Sequence, residues 1–337
     1  MSDAASHVPE AEQRPGLIGE DLSAEHPTWG RIYVRNKRPA SVGSFASNRI
    51  VIFQHGATYG STAFDMAFNG LSWMDYAAAR GFDTYCLDLP GYGRSARPPQ
   101  MDEPAENNPP FMRTADAASC LGTVVDFVCR RRGVDKVCLV GWSWGTAITA
   151  TYTTQNAARV ERLALYAPVW DRSQGSPSPI HVEGKLGAYR TVDREASLKR
   201  RQAGLDDTQK TVVMPPEWFE QWWRATLEAD QAGDGRTVRA PNGVVLDGVE
   251  YWSAGRPLYD PARIEVPLLV TVGEWDKDTP PSMAQAIFPL ACNAPWKRLA
   301  VLGGGTHTML MERYRILLFR TVQQFLEEVP PGPDVLS

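Results

Sequence analysis

Apolar positions along this chain come in short bursts separated by longer mixed stretches. Ile50-Val51-Ile52-Phe53 is one burst, Phe82 to Leu87 a second, Lys136 to Val140 a third and Val160 to Leu165 a fourth. Each has the length of a strand, and their content of β-branched and aromatic residues favours that state over helix. Between the bursts, apolar residues fall at helical spacing: from Trp73 to Arg80, then at Ala117, Leu121, Val124, Val125 and Val128, then from Ala147 to Tyr152. From Ile50 to Tyr166 the pattern is therefore strand, helix, strand, helix, strand, helix, strand. Such alternation predicts an α/β fold, a mostly parallel doubly wound sheet with helices on both faces. Trp29 to Val34 alternates weakly and predicts a first, edge strand. The rhythm returns at Leu268 to Gly273, with a helix near Ser282 to Phe288 and a strand at Arg298 to Leu302. A closing amphipathic helix carries Leu310, Tyr314, Leu317, Leu318, Val322 and Phe325 on one face.

Two regions fall outside this rhythm. Residues 1–28 are polar and predict a flexible N-terminal arm. Residues 171–255 have no strand pattern but contain Trp218, Trp222 and Leu227 on one helix face, which predicts a mainly helical insertion. The expected organisation is an arm (1–28), a core built from 29–170 and 256–330, and a helical cap (171–255).

Composition narrows the class. With 43% hydrophobic and 22% charged residues the chain is expected to be an ordinary soluble globular protein. A net charge of -4 argues against nucleic acid or an anionic membrane as partner. Met1 to Pro27 has no apolar core of a secretory signal, and no apolar run reaches membrane-spanning length. The five cysteines show no metal spacing, and Cys86 and Cys138 sit in strand-like runs as expected of buried free thiols. A cytoplasmic protein with a small-molecule substrate is expected, with a homodimer left open. Neither a metal nor another cofactor is expected, because no His/Cys cluster is metal-spaced and no glycine-rich turn has a dinucleotide fingerprint in its required setting.

The chemistry centres on Gly141-Trp142-Ser143-Trp144-Gly145, which ends an apolar strand and opens a helix. A G-x-S-x-G turn in that setting is a nucleophile elbow: the backbone is strained and the serine Oγ is pushed out at the top of the sheet. A serine hydroxyl needs a base at neutral pH. Among five histidines, His7 and His26 lie in the arm, His55 precedes the elbow and His181 lies in the insertion. His307 follows the last strand in Gly303-Gly304-Gly305-Thr306-His307, where the strand ends of a parallel sheet converge. The base in turn needs an acid to hold its tautomer. Gly273-Glu274-Trp275-Asp276-Lys277-Asp278 supplies Asp276, with Asp171 as second candidate. Two backbone N–H groups must face the developing oxyanion. Trp144, directly after the serine, and Ala57, in the loop after Ile50 to Phe53, occupy the required positions.

These motifs, together with His55-Gly56 and Asp88-Leu89-Pro90-Gly91-Tyr92-Gly93-Arg94-Ser95, resemble those of the α/β-hydrolase superfamily over about residues 30–330. The resemblance implies a triad of Ser143, Asp276 and His307, selects Asp276 over Asp171, and implies a cap after the sixth strand. Serine at the elbow sets the chain apart from dehalogenases and epoxide hydrolases, which resemble it but carry Asp there. A carboxylic ester hydrolase acting through an acyl-enzyme is the expected function. The alternatives are a proline iminopeptidase-like aminopeptidase, with Glu217, Glu220 or Glu228 holding an amine, a C–C hydrolase of diketones, and a non-catalytic receptor or scaffold. The layout is also similar to that of bacterial hydrolases of aromatic monoesters. This implies a carboxylate partner in the insertion, Arg190 or Arg224, while Trp218 and Trp222 offer apolar surface for an aromatic or alkyl group.

Overall fold

The computed structural model describes residues 16–173, 182, 184–230 and 233–329. The chain begins with β1 (Leu17–His26) and β2 (Gly30–Pro39). Then follow β3 (Ile50–Gln54), the short helices α1 (Thr62–Asp65) and α2 (Trp73–Ala78), and β4 (Asp83–Leu87). Next are α3 (Thr114–Arg132), β5 (Val137–Trp142), α4 (Trp144–Gln155) and β6 (Val160–Tyr166). The chain then leaves the sheet to form β7 (Tyr189–Val192), α5 (Arg194–Arg201), α6 (Asp207–Val213), α7 (Pro216–Ala229), β8 (Val238–Pro241) and α8 (Gly243–Asp247). It returns with β9 (Leu268–Gly273), α9 (Pro281–Leu290), β10 (Lys297–Leu302) and α10 (Arg315–Glu327).

Eight strands form one sheet in the order β1-β2-β4-β3-β5-β6-β9-β10. From β4 to β10 all neighbours are parallel, and only the β1–β2 hairpin and its junction with β4 are antiparallel. Burial shows why these runs are apolar throughout. On β3, Ile50 and Ile52 enter one hydrophobic cluster while Val51 and Phe53 enter the other. Alternate side chains thus point to opposite, equally covered faces, and both must be apolar. The first cluster takes in α3, α4 and α9; the second takes in α2, α10 and the tryptophans of α7. Local signals set the helix ends. Ser72 and Asp75 form a capping box at α2. Gly133, at φ 66°, closes α3 in the left-handed conformation just after three arginines that complement the helix dipole.

The arm expected over residues 1–28 does not hold for its second half. Residues 1–15 lie outside the described residues, but Leu17–His26 is a full strand paired antiparallel to β2 from Leu17↔Pro39 to His26↔Gly30. The strand expected at Trp29 to Val34 is therefore second in the sheet. β1 is an edge strand whose side chains are mostly half-exposed or exposed, so it carries no apolar run. Its charges answer those of β2 instead: Asp21 pairs with Arg35 at 2.9 Å and Glu20 with Arg38 at 2.6 Å. In the segment between β6 and β9 the helices are accompanied by a two-stranded antiparallel ribbon, β7–β8. Its strands have four residues each and are separated by 45 residues, 193–237, too short and too distant to show as a pattern.

Candidate active site

The C-terminal ends of β3, β5, β9 and β10 lie on one edge of the sheet, and each delivers one part of the site. At the end of β5, Ser143 has φ 58° and ψ -123°, a backbone conformation that side-chain-bearing residues rarely adopt. Glycines make the elbow possible. A Cβ on Gly145 would lie 2.4 Å from the Gln54 carbonyl oxygen, so only glycine lets α4 start this close to β3. Thr146 also braces the turn, its N–H donating to the Ser143 carbonyl at 2.9 Å.

Three side chains from three strand ends meet at the elbow. His307 Nε2 is 2.8 Å from Ser143 Oγ, and its Nδ1 is 2.9 Å from Asp276 Oδ2. The buried carboxylate accepts the Nδ1 proton, which leaves Nε2 free to accept from the serine hydroxyl. Asp276 is held by Thr279, whose backbone N–H and hydroxyl each donate to it at 2.8 Å. The His307 carbonyl accepts from Trp142 Nε1 and from the Tyr166 hydroxyl, both at 2.9 Å. The imidazole is therefore fixed on its ring and on its backbone. Asp171 takes no part: its Oδ1 accepts the Ser173 N–H at 2.7 Å. His181 and His7 lie outside the described residues.

The expected oxyanion donors flank the serine. Trp144 opens α4, so its N–H has no acceptor within the helix. A Cβ on Gly56 would lie 2.8 Å from Ser143 Cβ and 3.3 Å from Oγ, which places the Gly56–Ala57 segment directly against Ser143. That segment is held from behind. His55 is fully buried and accepts the Leu89 N–H on Nε2 at 3.1 Å, so its proton sits on Nδ1, which donates to the Gly56 carbonyl at 2.7 Å. Burial lowers the His55 pKa, in keeping with this neutral, structural role. Asp88, in the glycine-rich turn after β4, accepts from Ser61 N–H at 2.6 Å and Arg94 N–H at 2.9 Å, tying the two loops together.

Ser143 and His307 open into a cleft of about 650 Å³, counting space continuous with solvent. Ala57, Tyr59, Trp275 and Lys277 line it with Arg200 and Arg201 of α5. The insertion residues expected from the sequence to touch substrate are placed elsewhere. Trp218 and Trp222 are almost wholly buried: Trp218 stacks on Phe68 at 5.0 Å and Trp222 meets Tyr59 edge-on at 4.7 Å. Both belong to the apolar face of α7, and that face is spent on docking the helix to the core. Arg190 donates to the Pro241 carbonyl at 2.7 Å and to Thr58 Oγ1 at 2.6 Å, which makes it a tie between the insertion and the Ala57 loop. Arg224 is exposed beside Glu220 and Glu228, at a separate shallow cleft. Glu217 and Glu228 are exposed, and Glu220 pairs with Arg194.

Several residues of the site carry no sequence signal of their own. Thr279 is one. Another is Glu312, fully buried under the His307 loop, where it accepts from Thr306 N–H at 3.0 Å and from Thr308 Oγ1 at 2.8 Å. Burial pushes its carboxyl up to about 7 against those hydrogen bonds. Tyr166 reads from the sequence only as the residue at the end of a strand. Trp142 does have a signal, its place inside the elbow motif, but nothing there shows that its indole N–H reaches the His307 carbonyl.

A parallel sheet with a strained serine at the end of its central strand, and with imidazole and carboxylate brought to it from later strands, defines a hydrolase architecture. The chain belongs to the alpha/beta hydrolase family, whose pattern it matches over residues 50–317. Among solved structures it is similar to an esterase from Thermogutta terrifontis, with 18% identity over 91% of this chain and 98% of that one and a TM-score of 0.56. It is also similar to a serine hydrolase from Cycloclasticus zankles, with 14% identity, 93% and 98% covered and a TM-score of 0.58. A monoacylglycerol lipase from Paleococcus ferrophilus gives 17% identity, 88% and 98% covered and a TM-score of 0.57. At these identities the likeness is one of fold. No curated protein matches the chain in sequence.

Proposed function

We propose that the protein is a serine hydrolase of carboxylic esters, with Ser143 as nucleophile, His307 as base and Asp276 as the acid that orients it. The observation that carries this reading is the unbroken relay from Ser143 Oγ to His307 Nε2 and from Nδ1 to Asp276, at 2.8 and 2.9 Å. Ser143 Oγ attacks the ester carbonyl carbon as its proton passes to His307 Nε2. The Ala57 and Trp144 N–H groups take the oxyanion. Collapse of the tetrahedral species breaks the C–O bond, and the imidazolium gives its proton to the leaving alkoxide. Water, activated by the same imidazole, then cleaves the acyl-enzyme and restores Ser143. The segment 171–255 acts as a cap that shapes the cleft and excludes water. The aminopeptidase reading loses support because Glu217, Glu220 and Glu228 do not line the cleft. The esterase and lipase among the similar structures agree with the ester reading in reaction class.

The test is labelling with a serine-directed fluorophosphonate, followed by peptide mapping. The adduct is expected on Ser143, and Ser143→Ala should abolish labelling and lower kcat on 4-nitrophenyl acetate by on the order of a millionfold. An adduct mapped to a different serine would overturn the assignment.

A further inference from the structure

Arg201, the last residue of α5, reaches the cleft that holds Ser143 and His307. Its guanidinium lies over the Trp222 ring, 3.7 Å from the centroid, with the Tyr59 ring at 5.6 Å. All three of its nitrogens are buried, and none has a hydrogen-bond partner. No carboxylate among the described residues forms an ion pair with it. The carboxylate that acts on its charge is Glu312, whose oxygens are already taken by Thr306 and Thr308. The neighbouring cation, Arg200, is paired with Asp278 at 3.0 Å. Burial draws the Arg201 guanidinium down to about 10, so it is still charged at neutral pH. A buried cation without acceptors is costly, and an anion entering the cleft relieves that cost.

The stacking fixes what kind of anion fits. Contact with the Trp222 face uses the flat side of the guanidinium and leaves its in-plane N–H donors unused. A planar fork of this kind matches a carboxylate, which can accept two parallel N–H bonds at once. We infer that Arg201 is a carboxylate-binding residue and that the substrate is an ester bearing a free carboxylate, such as the monoester of a dicarboxylic acid. This rests on the ester-hydrolase reading above and adds to it the class of ester. Trp222 then has a positioning role, as the surface that holds the guanidinium flat against the cleft.

The test compares monoethyl with diethyl esters of succinic, adipic and phthalic acids. For at least one acid the wild-type protein should hydrolyse the monoester with a kcat/KM tenfold or more above that of the diester. Arg201→Met, which keeps an unbranched stem without the charge, should cut that ratio at least tenfold, and Arg201→Lys should cut it less. Independently of any variant, succinate, adipate or phthalate should slow fluorophosphonate labelling of wild-type Ser143, while the corresponding diamides should not. A wild-type preference for diesters throughout, an unchanged ratio in Arg201→Met, or equal protection by acids and diamides would each overturn the assignment. Failure of the underlying reading looks different: Ser143 is then not labelled and no ester is cleaved. If Ser143 labels and esters turn over without regard to charge, the Arg201 assignment alone falls.

Discussion

Replacement of Trp218 by Ala separates a residue that holds the insertion in place from one that selects substrate. Trp218 is 7% exposed, stacks on Phe68 with an interplanar angle of 21°, and carries the Arg315 guanidinium 4.6 Å from its ring centroid. Removing a buried Trp side chain costs about 3–5 kcal/mol, of which the aromatic pair accounts for about 1. At about 2.1 cal/mol/K per residue, a chain of this length has an unfolding entropy near 0.7 kcal/mol/K, so Tm should fall by about 4–7 °C. Because the ring is not on the wall of the Ser143 cleft, kcat/KM should change by a similar factor for all members of a straight-chain ester series. Thermal melts followed by circular dichroism and initial rates on 4-nitrophenyl acetate through decanoate measure both quantities. An unaltered Tm with losses differing tenfold or more between short and long esters would refute the reasoning, since only a residue in contact with the acyl chain discriminates by size.

Asp276→Asn should lower kcat by on the order of 10⁴ with little change in the melt, because it removes the acceptor that fixes the His307 tautomer; an equal loss from Asp171→Asn instead would move the acid to the other strand end. Gly56→Ala places a methyl 2.8 Å from Ser143 Cβ and 3.1 Å from the Trp142 carbonyl oxygen, so the Ala57 N–H is displaced. Its kcat should fall by about 10²–10³ with a smaller change in KM, as measured on 4-nitrophenyl acetate. Glu312 gives the fold a pH dependence. Its carboxyl is raised from 4.5 to about 7 by burial, so between those values the folded protein keeps a proton that the unfolded chain has released. Stability from this group is complete below the lower value and declines as pH rises through 7, by about 3 kcal/mol in all. Glu312→Gln should remove that decline, and denaturation curves at pH 5 and pH 8 that shift equally in both proteins would contradict it.

The three side chains that meet at the candidate site were each singled out in the sequence, the serine by a local signal and the other two by their places after strands. A glycine-flanked serine between an apolar strand and a helix specifies the elbow within eleven residues, Val137 to Ala147. Asp276 and His307 could be placed because each follows a strand-like run, and parallel strands bring their ends to one edge of the sheet. The sequence reading left β1 in the arm because an edge strand with half-exposed faces needs no apolar alternation, and its partner contacts are charge pairs across a hairpin. The roles of the insertion depend wholly on tertiary structure. The sequence offered Trp218, Trp222, Arg190 and Arg224 as candidates, and nothing along the chain set Arg200 or Arg201 apart from other arginines. Docking of α7 turns the two tryptophans inward, the β8 end of the ribbon and Thr58 claim Arg190, Asp278 claims Arg200, and Arg224 is left in solvent. Arg201 alone of the four arginines brings buried, unclaimed guanidinium nitrogens to the cleft. Pattern determines that a helix has an apolar face, but which atoms a side chain meets depends on the element packed against it, and that element is set by contacts far apart in sequence.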